Sequence, residues 1–346
     1  MIEKIKNKIE KSLKSFARSI DKRYGLQVIS PIVPKNIAEF ILRPGKRIRP
    51  ILFVIGYLGF SKKPAAGLYT SALSFELLHD FMLVHDDIID KSDLRRGRPS
   101  MHAMLKKYIA HDQRVKFNGQ DLAIVIGDVI YAISIDAMLK IRENYQRKEK
   151  ALKQLIRATI YTGSGEFIEL LCGGKKLNAT TKEVIYKIYD YKTAYYTFSC
   201  PLSTGAILAG ASPKEINTIS RYGIYLGRAF QIKDDILGMF SQEQETGKST
   251  LSDLQEAKKT LLIWYAYNHS ARKLKAEIQR IYNKRIVNIS DLKIMRRLII
   301  SSGALEFARK EITVLANKAS GLIKSSRMKK TYRDFLYHYS QQILSL

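Results

Sequence analysis

Apolar residues recur at three- and four-residue intervals along almost the whole chain, a spacing that fits helices and little else. Ile2, Ile5, Ile9, Leu13, Phe16 and Ile20 trace one face of an opening helix, and Leu73, Leu77, Phe81 and Val84 trace another. Leu122 to Leu139 and Ile219 to Leu237 are apolar enough to predict buried helices, and Lys258 to His269 predicts one more. Two-residue alternation, the mark of a half-buried strand, is scarce. Proline falls mostly in connectors, at Pro31, Pro34, Pro44, Pro50, Pro64, Pro99 and Pro213; Pro201 predicts a helix start or a kink. No Ser/Gly/Pro-rich linker divides the chain and no solenoid-period repeat is present. The expectation is one all-α domain over residues 1–346.

Composition narrows the function classes. The N-terminal residues are interrupted by charge every few positions, so no secretory leader is expected. The most apolar stretch carries Asp128 and Asp136, and unpaired carboxylates are costly in a bilayer, which argues against a transmembrane segment. Cys172 and Cys200 are the only cysteines; a disulfide framework is not expected, and a reducing cytoplasm is. The net charge of +27 suits polyanionic partners: nucleic acid, anionic lipid headgroups or phosphorylated substrates. Arg142 to Lys153 and Lys324 to Arg333 are especially basic. Without zinc-finger spacing, an RNA-recognition aromatic motif or a low-complexity basic tail, nucleic acid is not the expected partner.

The chemistry concentrates in two acidic patches. In His85-Asp86-Asp87-Ile88-Ile89-Asp90, Asp86 and Asp90 share a helical face, with Asp87 beside them. Three carboxylates in one place repel unless a cation bridges them, and an all-oxygen donor set suits Mg2+. A DDxxD run alone fits a solvated acidic helix end equally well. The second patch, Asp234-Asp235-Ile236-Leu237-Gly238, follows another apolar helix and changes that balance, since helix bundles commonly build metal sites from facing helices. Basic clusters accompany both patches: Lys46, Arg47 and Arg49 upstream, Arg95, Arg96 and Arg98 after the first, and Lys248, Lys258 and Lys259 after the second. Guanidinium and ammonium groups are what phosphate oxygens need. Walker and dinucleotide-loop patterns fail at Gln242 and Ile168, and neither HExxH nor GxSxG occurs.

Read in order, these motifs resemble the trans-isoprenyl diphosphate synthase (polyprenyl synthetase) family, in particular its short-chain geranylgeranyl and farnesyl members. The likeness runs through GKRIRP at 45–50, ELLH at 76–79, HDDIIDKSDLRRGRPSMH at 85–102, GD at 127–128, KTA at 192–194, FQIKDDILG at 230–238, GKSTLSD at 247–253 and KKT at 258–260. It implies an isoprenoid-synthase bundle around a deep cavity, a homodimer, and about three Mg2+ per active site. Asp86, Asp87 and Asp90 would bind metal on one side of an allylic diphosphate, and Asp234 and Asp235 on the other. Arg95, Lys192 and Lys258, with Lys248 nearby, would hold that diphosphate; Lys46, Arg49, His79 and Arg96 would hold isopentenyl diphosphate. Thr193 and Gln231 would line the reacting carbons. Asp86, Asp90, Arg95, Lys192, Asp234 and Lys258 carry the catalytic assignment. Three positions depart from the family pattern: Gly238 replaces the last Asp of the second motif, Ala257 stands where Gly is usual, and Glu166 where Gln is usual.

The implied reaction joins isopentenyl diphosphate to an allylic diphosphate. A class I terpene cyclase shares the acidic helices but takes one diphosphate, which the set Lys46, Arg49, His79 and Arg96 argues against. A non-catalytic partner subunit, or a basic lipid- or nucleic-acid-binding protein, is argued against by the two intact acidic motifs. The basic surface also suits peripheral contact with an anionic membrane. Phe81, five residues before the first Asp, and Met82 would set chain length by forming a floor for the growing tail, about 7.5 Å deeper along the helix. This pattern implies a C20 product, with C15 the alternative and Phe75 a deeper limit.

Overall fold

A computed structural model describes residues 1–110, 114–241 and 251–344. These form two compact units, Met1–Leu155 with Thr204–Ala211, and Ile156–Ser203 with Ser212–Leu346. The expected all-α class holds in both. Among the described residues the only strands are Leu94–Arg95 and Arg98–Pro99, paired as a minimal hairpin.

The first unit opens with α1 (Ile2–Tyr24), α2 (Leu26–Ile29), α3 (Ile32–Ile41), α4 (Ile48–Phe60), α5 (Leu68–Ile89), α6 (Met101–Ile109) and α7 (Gly119–Met138). α1 buries Ile5, Ile9, Leu13, Phe16 and Ile20, the face that its spacing predicts. α5 packs on α7, α4 and α1. Half-buried Asp136 on α7 accepts from the Tyr24 hydroxyl at 2.7 Å and from Lys140 Nζ at 2.8 Å. The predicted helix at 122–139 forms, but not as a wholly buried one. Ile124 and Val125 are exposed, so α7 has a second apolar face. Apolarity all round a helix cannot distinguish core from a face left uncovered in one chain.

α8 (Tyr145–Gly173) belongs to both units. The second unit continues through α9 (Lys182–Tyr189), a π-helix over Asp190–Ser199, and α10 (Cys200–Leu208), which run end to end. Pro201, expected to start or kink a helix, is the second residue of α10, where the wide winding reverts to α. α11 (Pro213–Phe240) begins with Ser212 as N-cap and Pro213 in the first turn, the preferred arrangement. It packs on the π-helix, and a Cβ at Gly227 would collide with Ala194. α12 (Ser252–Gln255), α13 (Leu261–His269), α14 (Arg272–Tyr282), α15 (Ile289–Ser301), α16 (Ala304–Lys324) and α17 (Lys330–Gln342) complete the unit. Lys259 is buried and donates from Nζ to the carbonyls of Cys172, Gly173 (3.1 Å) and Lys175 (2.6 Å). It caps the C-terminus of α8, whose last carbonyls lack partners within the helix, and so anchors the segment that carries Lys258. Among the described residues no helix is long and apolar enough to cross a membrane.

Candidate active site

α5 carries the first acidic motif at its C-terminal end. Asp86 and Asp90 are partly exposed, whereas Asp87 is fully buried. Arg95 reaches all the way back: its Nε donates to Asp87 Oδ1 at 2.7 Å, its Nη2 also meets Asp87, and Nη2 lies 3.4 Å from Asp86 Oδ2. Burial pushes the Asp87 carboxyl up, while Arg95 pulls it down. Hairpin geometry explains the reach. Leu94 pairs with Pro99 and Arg95 with Arg98, leaving Arg96-Gly97 as a two-residue turn. Both turn residues have positive φ, 54° and 71°, as a type I′ hairpin requires. Buried Arg43 clamps the hairpin by donating to Pro99 O at 2.8 Å and Arg95 O at 3.3 Å, with Glu39 balancing its charge at 2.8 Å.

The hairpin sends Arg95 and Arg96 to different places. Arg96 lies 3.7 Å from Glu76 and 3.8 Å from Asp80, both buried on α5. His79 sits between these two acids in sequence and is partly buried. Burial, then the guanidinium groups of Arg49, Arg96, Arg95 and Arg47, hold its imidazole well below the ordinary range. It is therefore neutral near pH 7. The structure thus brings His79, Arg49 and Arg96 into one cationic neighbourhood; Lys46 is exposed in the preceding loop. Arg47 plays a different part. It is buried, pairs with Glu76 at 2.6 Å and Glu10 at 2.8 Å, and pins that loop to α5 and α1. Neither oxygen of Asp80 has a hydrogen-bond partner, and burial together with Glu76 pushes its carboxyl well up. Sequence reasoning quoted Glu76 within ELLH at 76–79 but gave no role to it or to Asp80.

In the second unit, α11 exposes Asp234 and buries Asp235. Gln231 Nε2 donates to Asp235 at 2.9 Å, Thr193 Oγ1 donates to Gln231 at 2.6 Å, and Tyr189 donates to Asp235 from the other side. Burial pushes the Asp235 carboxyl up to about 8, against these two hydrogen bonds, and the charge of Asp253 adds more to the rise than Asp234 does. The Tyr189 hydroxyl also accepts from Leu261 N at 2.9 Å, tying α9, α11 and α13 together. Lys192, on the π-helix, lies 2.6 Å from Glu166 and pairs with Glu169. Lys258 pairs with Glu256 at 2.8 Å and Asp253 at 3.1 Å; burial lowers its ammonium, but these carboxylates outweigh it and hold it well above its usual range. Lys248 lies outside the described residues.

The donor chemistry fits Mg2+. Among the described residues no three His, Cys, Asp or Glu side chains are gathered tightly enough to hold a metal by themselves. Mg2+ characteristically takes one or two carboxylates and completes its shell with water and substrate phosphate rather than with a protein cage. Asp86 and Asp90 on one helix face, and exposed Asp234, offer carboxylates of that kind. Asp87 Oδ2 is a buried oxygen without a hydrogen-bond partner behind that face.

Further back along α5, the Phe81 ring stacks on Tyr131 of α7 with centroids 5.0 Å apart and meets His85 edge-on at 4.7 Å. Phe75 is fully buried against Phe53, at 5.3 Å.

Comparison with known proteins identifies the family and the fold. A short chain isoprenyl diphosphate synthase of Methanocaldococcus jannaschii is 28% identical over 306 residues, covering 88% of this chain and 84% of that protein. A geranylfarnesyl diphosphate synthase of Aeropyrum pernix is 29% identical over 294 residues, covering 81% and 83%. The fold matches the crystal structure of a geranylgeranyl pyrophosphate synthase from Corynebacterium glutamicum, complexed with isoprenyl diphosphate and magnesium, with a TM-score of 0.89 at 23% identity over 99% of each chain. Residues 31–299 match the polyprenyl synthetase family, a span that includes both acidic motifs and every cationic cluster around them. The chain belongs to the polyprenyl synthetase family of all-α trans-prenyltransferases.

Proposed function

We propose that this chain condenses isopentenyl diphosphate with an allylic diphosphate, and that its two compact units serve one catalytic domain. The observation that carries this reading is the divergence of Arg95 and Arg96 at a two-residue turn. Arg95 lies on Asp86 and Asp87, while Arg96 lies 3.7 Å from Glu76 and 3.8 Å from Asp80, further back along α5. Two anion-binding places supplied by adjacent residues suit two diphosphates, which favours condensation over cyclisation of one.

In this reading Arg95, Lys192 and Lys258 exchange their carboxylate partners for the oxygens of the allylic diphosphate, with Lys248 assisting. Bound divalent cations, held by Asp86, Asp87, Asp90, Asp234 and Asp235, supply further neutralisation of the charge that grows there. The allylic carbon–oxygen bond breaks with its electron pair leaving on the diphosphate. Isopentenyl diphosphate is held by Lys46, Arg49 and Arg96, and by His79, which donates an N–H without adding charge. Its double bond forms the new carbon–carbon bond, and a proton then passes to the departed diphosphate. Thr193 and Gln231 keep polar contacts beside the reacting carbons without offering a nucleophile.

The Phe81–Tyr131 stack supports a tail floor and a C20 product. Phe81→Ala should lengthen the product; an unchanged length with full turnover would move the limit deeper, to Phe75. An exposed stripe on α8 at Ile156, Ile160, Phe167, Leu170 and Leu171 supports a homodimer, since one chain leaves it uncovered. Lys324, Lys330, Arg333 and His338 border a groove that would suit anionic membrane headgroups, and co-sedimentation that ignores vesicle charge and salt would remove that contact. The deciding experiment is product analysis after incubation with Mg2+, isopentenyl diphosphate and each allylic primer. Chain elongation is the expected result. A cyclic hydrocarbon made from a single diphosphate, or no turnover with any primer, would overturn the reading.

A further inference from the structure

α5 and α7 run antiparallel: Phe81 meets Tyr131, and Ser71 Oγ donates to the carbonyls of Ala137 at 3.0 Å and Met138 at 3.1 Å. The Tyr24–Asp136 bond brings the C-terminus of α1 to the same place, and Arg142 N donates to Ala66 O at 2.8 Å. Residues 21–35, 61–67 and 136–148 therefore gather at one end of the first unit, about 27 Å along α5 from Asp86. It is the end toward which a growing tail would point. Two kinds of side chain face solvent there. Val28 is 93% exposed, Ile29 80%, Tyr145 78% and Leu139 42%. Val28 and Ile29 are neighbours on the short helix α2, none of whose residues is buried. The exposed cations are Lys22, Arg23, Lys35, Lys62, Lys63 and Arg142. The carboxylates of these segments are engaged inside the unit. Asp21 accepts from Gln27 N at 2.6 Å, Asp136 from Tyr24 and Lys140, and Glu143 from the Tyr57 hydroxyl at 2.5 Å, with Arg147 3.8 Å away. An exposed aliphatic pair among cations carries both signals of a reversible membrane dock: apolar side chains for the acyl boundary and positive charge for anionic headgroups, with a tyrosine suited to the layer between.

We propose that this end of the first unit, led by Val28 and Ile29, inserts into the headgroup layer of an anionic bilayer, with the surrounding Lys and Arg side chains on the lipid phosphates. This rests on the membrane contact proposed above and names the surface that enters the lipid. Nucleic acid would meet the cations but offers no apolar layer to the aliphatic tip. Docking here turns the end of the protein toward which the prenyl tail points to the apolar phase that suits such a tail.

Vesicle co-sedimentation of the full chain compares equal mixtures of phosphatidylglycerol and phosphatidylcholine with phosphatidylcholine alone. The unmodified protein should bind the anionic vesicles and leave the neutral ones. Val28→Ser combined with Ile29→Ser should weaken that binding at least about tenfold, since two aliphatic side chains leave the acyl boundary. Lys62→Ala combined with Lys63→Ala should weaken it about tenfold at low salt and little at high salt. Insertion is read directly by Val28→Trp. Its fluorescence should shift to the blue on anionic vesicles and be quenched by bromine-labelled acyl chains, beyond any change of Trp264 in the unmodified protein. These residues lie outside the site, so melting temperature and turnover without vesicles should stay unchanged. Undiminished binding by the Val28→Ser, Ile29→Ser variant would overturn the proposal, as would a bound Val28→Trp variant whose spectrum does not move. So would a loss confined to Lys330→Ala combined with Arg333→Ala, which would keep the membrane contact and put it at the groove instead. Light scattering covers the other occupant: an oligomer that the Val28→Ser, Ile29→Ser variant loses would assign the tip to a second copy of this chain and overturn the proposal. If the unmodified protein ignores anionic vesicles, the membrane contact itself fails and takes this proposal with it.

Discussion

Glu166 holds a position where the family usually has Gln, and the structure gives that change a consequence. Lys192 Nζ lies 2.6 Å from Glu166 and is also paired with Glu169, with all three side chains less than a third exposed. The two carboxylates compete with a diphosphate for the same ammonium. At about 4 Å and intermediate polarity, unit charges attract by about 4 kcal/mol. Solvation offsets most of that, leaving about 1–2 kcal/mol net for a partly buried pair. Glu166→Gln removes one competing charge, keeps the side-chain volume, and leaves Glu169 to orient Lys192. The diphosphate should then bind about 5–30-fold more tightly, the equivalent of that energy. Calorimetric titration with inorganic diphosphate in Mg2+ measures this directly, and the KM for the allylic substrate should fall in parallel while that for isopentenyl diphosphate stays unchanged. An unaltered or weaker dissociation constant would refute the competition argument; a weaker one would mean that Glu166 positions Lys192 for its ligand.

The other predictions rest on separate features. Asp86→Asn and Asp90→Asn should each lower kcat by at least about a hundredfold with a smaller change in KM, because the charge they help to neutralise grows in the transition state; near-normal rates in Mg2+ for both would remove the metal assignment. Ala257 is held at φ 52°. Ala257→Gly should relieve about 1–2 kcal/mol of left-handed strain and lose about 0.4–1 kcal/mol to unfolded-state entropy, so the melting temperature should rise slightly, and a drop would contradict it. His79 resists protonation when folded, so the unfolded chain takes up a proton near pH 6.5 that the folded chain refuses. Folded stability should therefore decline as pH falls below that value, and His79→Gln should flatten this part of the melting curve; an identical slope in both proteins would show that His79 contributes nothing to it.

The helical fold was legible because the spacing of apolar residues records which face each helix buries, as in α1. The first acidic motif was legible because four-residue spacing on a helix is itself a statement about geometry. What escaped depends on contacts through space or on winding. Lys258 and Lys259 are indistinguishable as adjacent lysines, yet one pairs with Asp253 and Glu256 and the other caps α8. Arg47 and Arg49 sit two residues apart in one basic cluster, and only folding shows that Arg47 is spent on Glu10 and Glu76. Ala257, by contrast, was noticed as a departure from glycine, and its positive φ explains why glycine is the usual choice there.

The π-helix over Asp190–Ser199 has a consequence for how this region tolerates change in length. Within Lys182–Leu208 it connects two α-helical stretches, and along it the π-helix meets α11 at several points: Asp190 with Arg228 at 2.6 Å, Ala194 against Gly227, and Ser199 against Gly223. A π-winding spaces its hydrogen bonds five residues apart instead of four, so it sets the angular phase between these contacts. Deleting one residue without a change of winding would turn everything beyond the deletion by roughly a quarter turn against everything before it. Asp190 and Ser199 could not then both keep their places, and Lys192 and Thr193 would be rotated away from Glu166 and Gln231. A single missing codon here would act as a lesion of the whole rod, whereas an exposed loop would absorb the same loss locally.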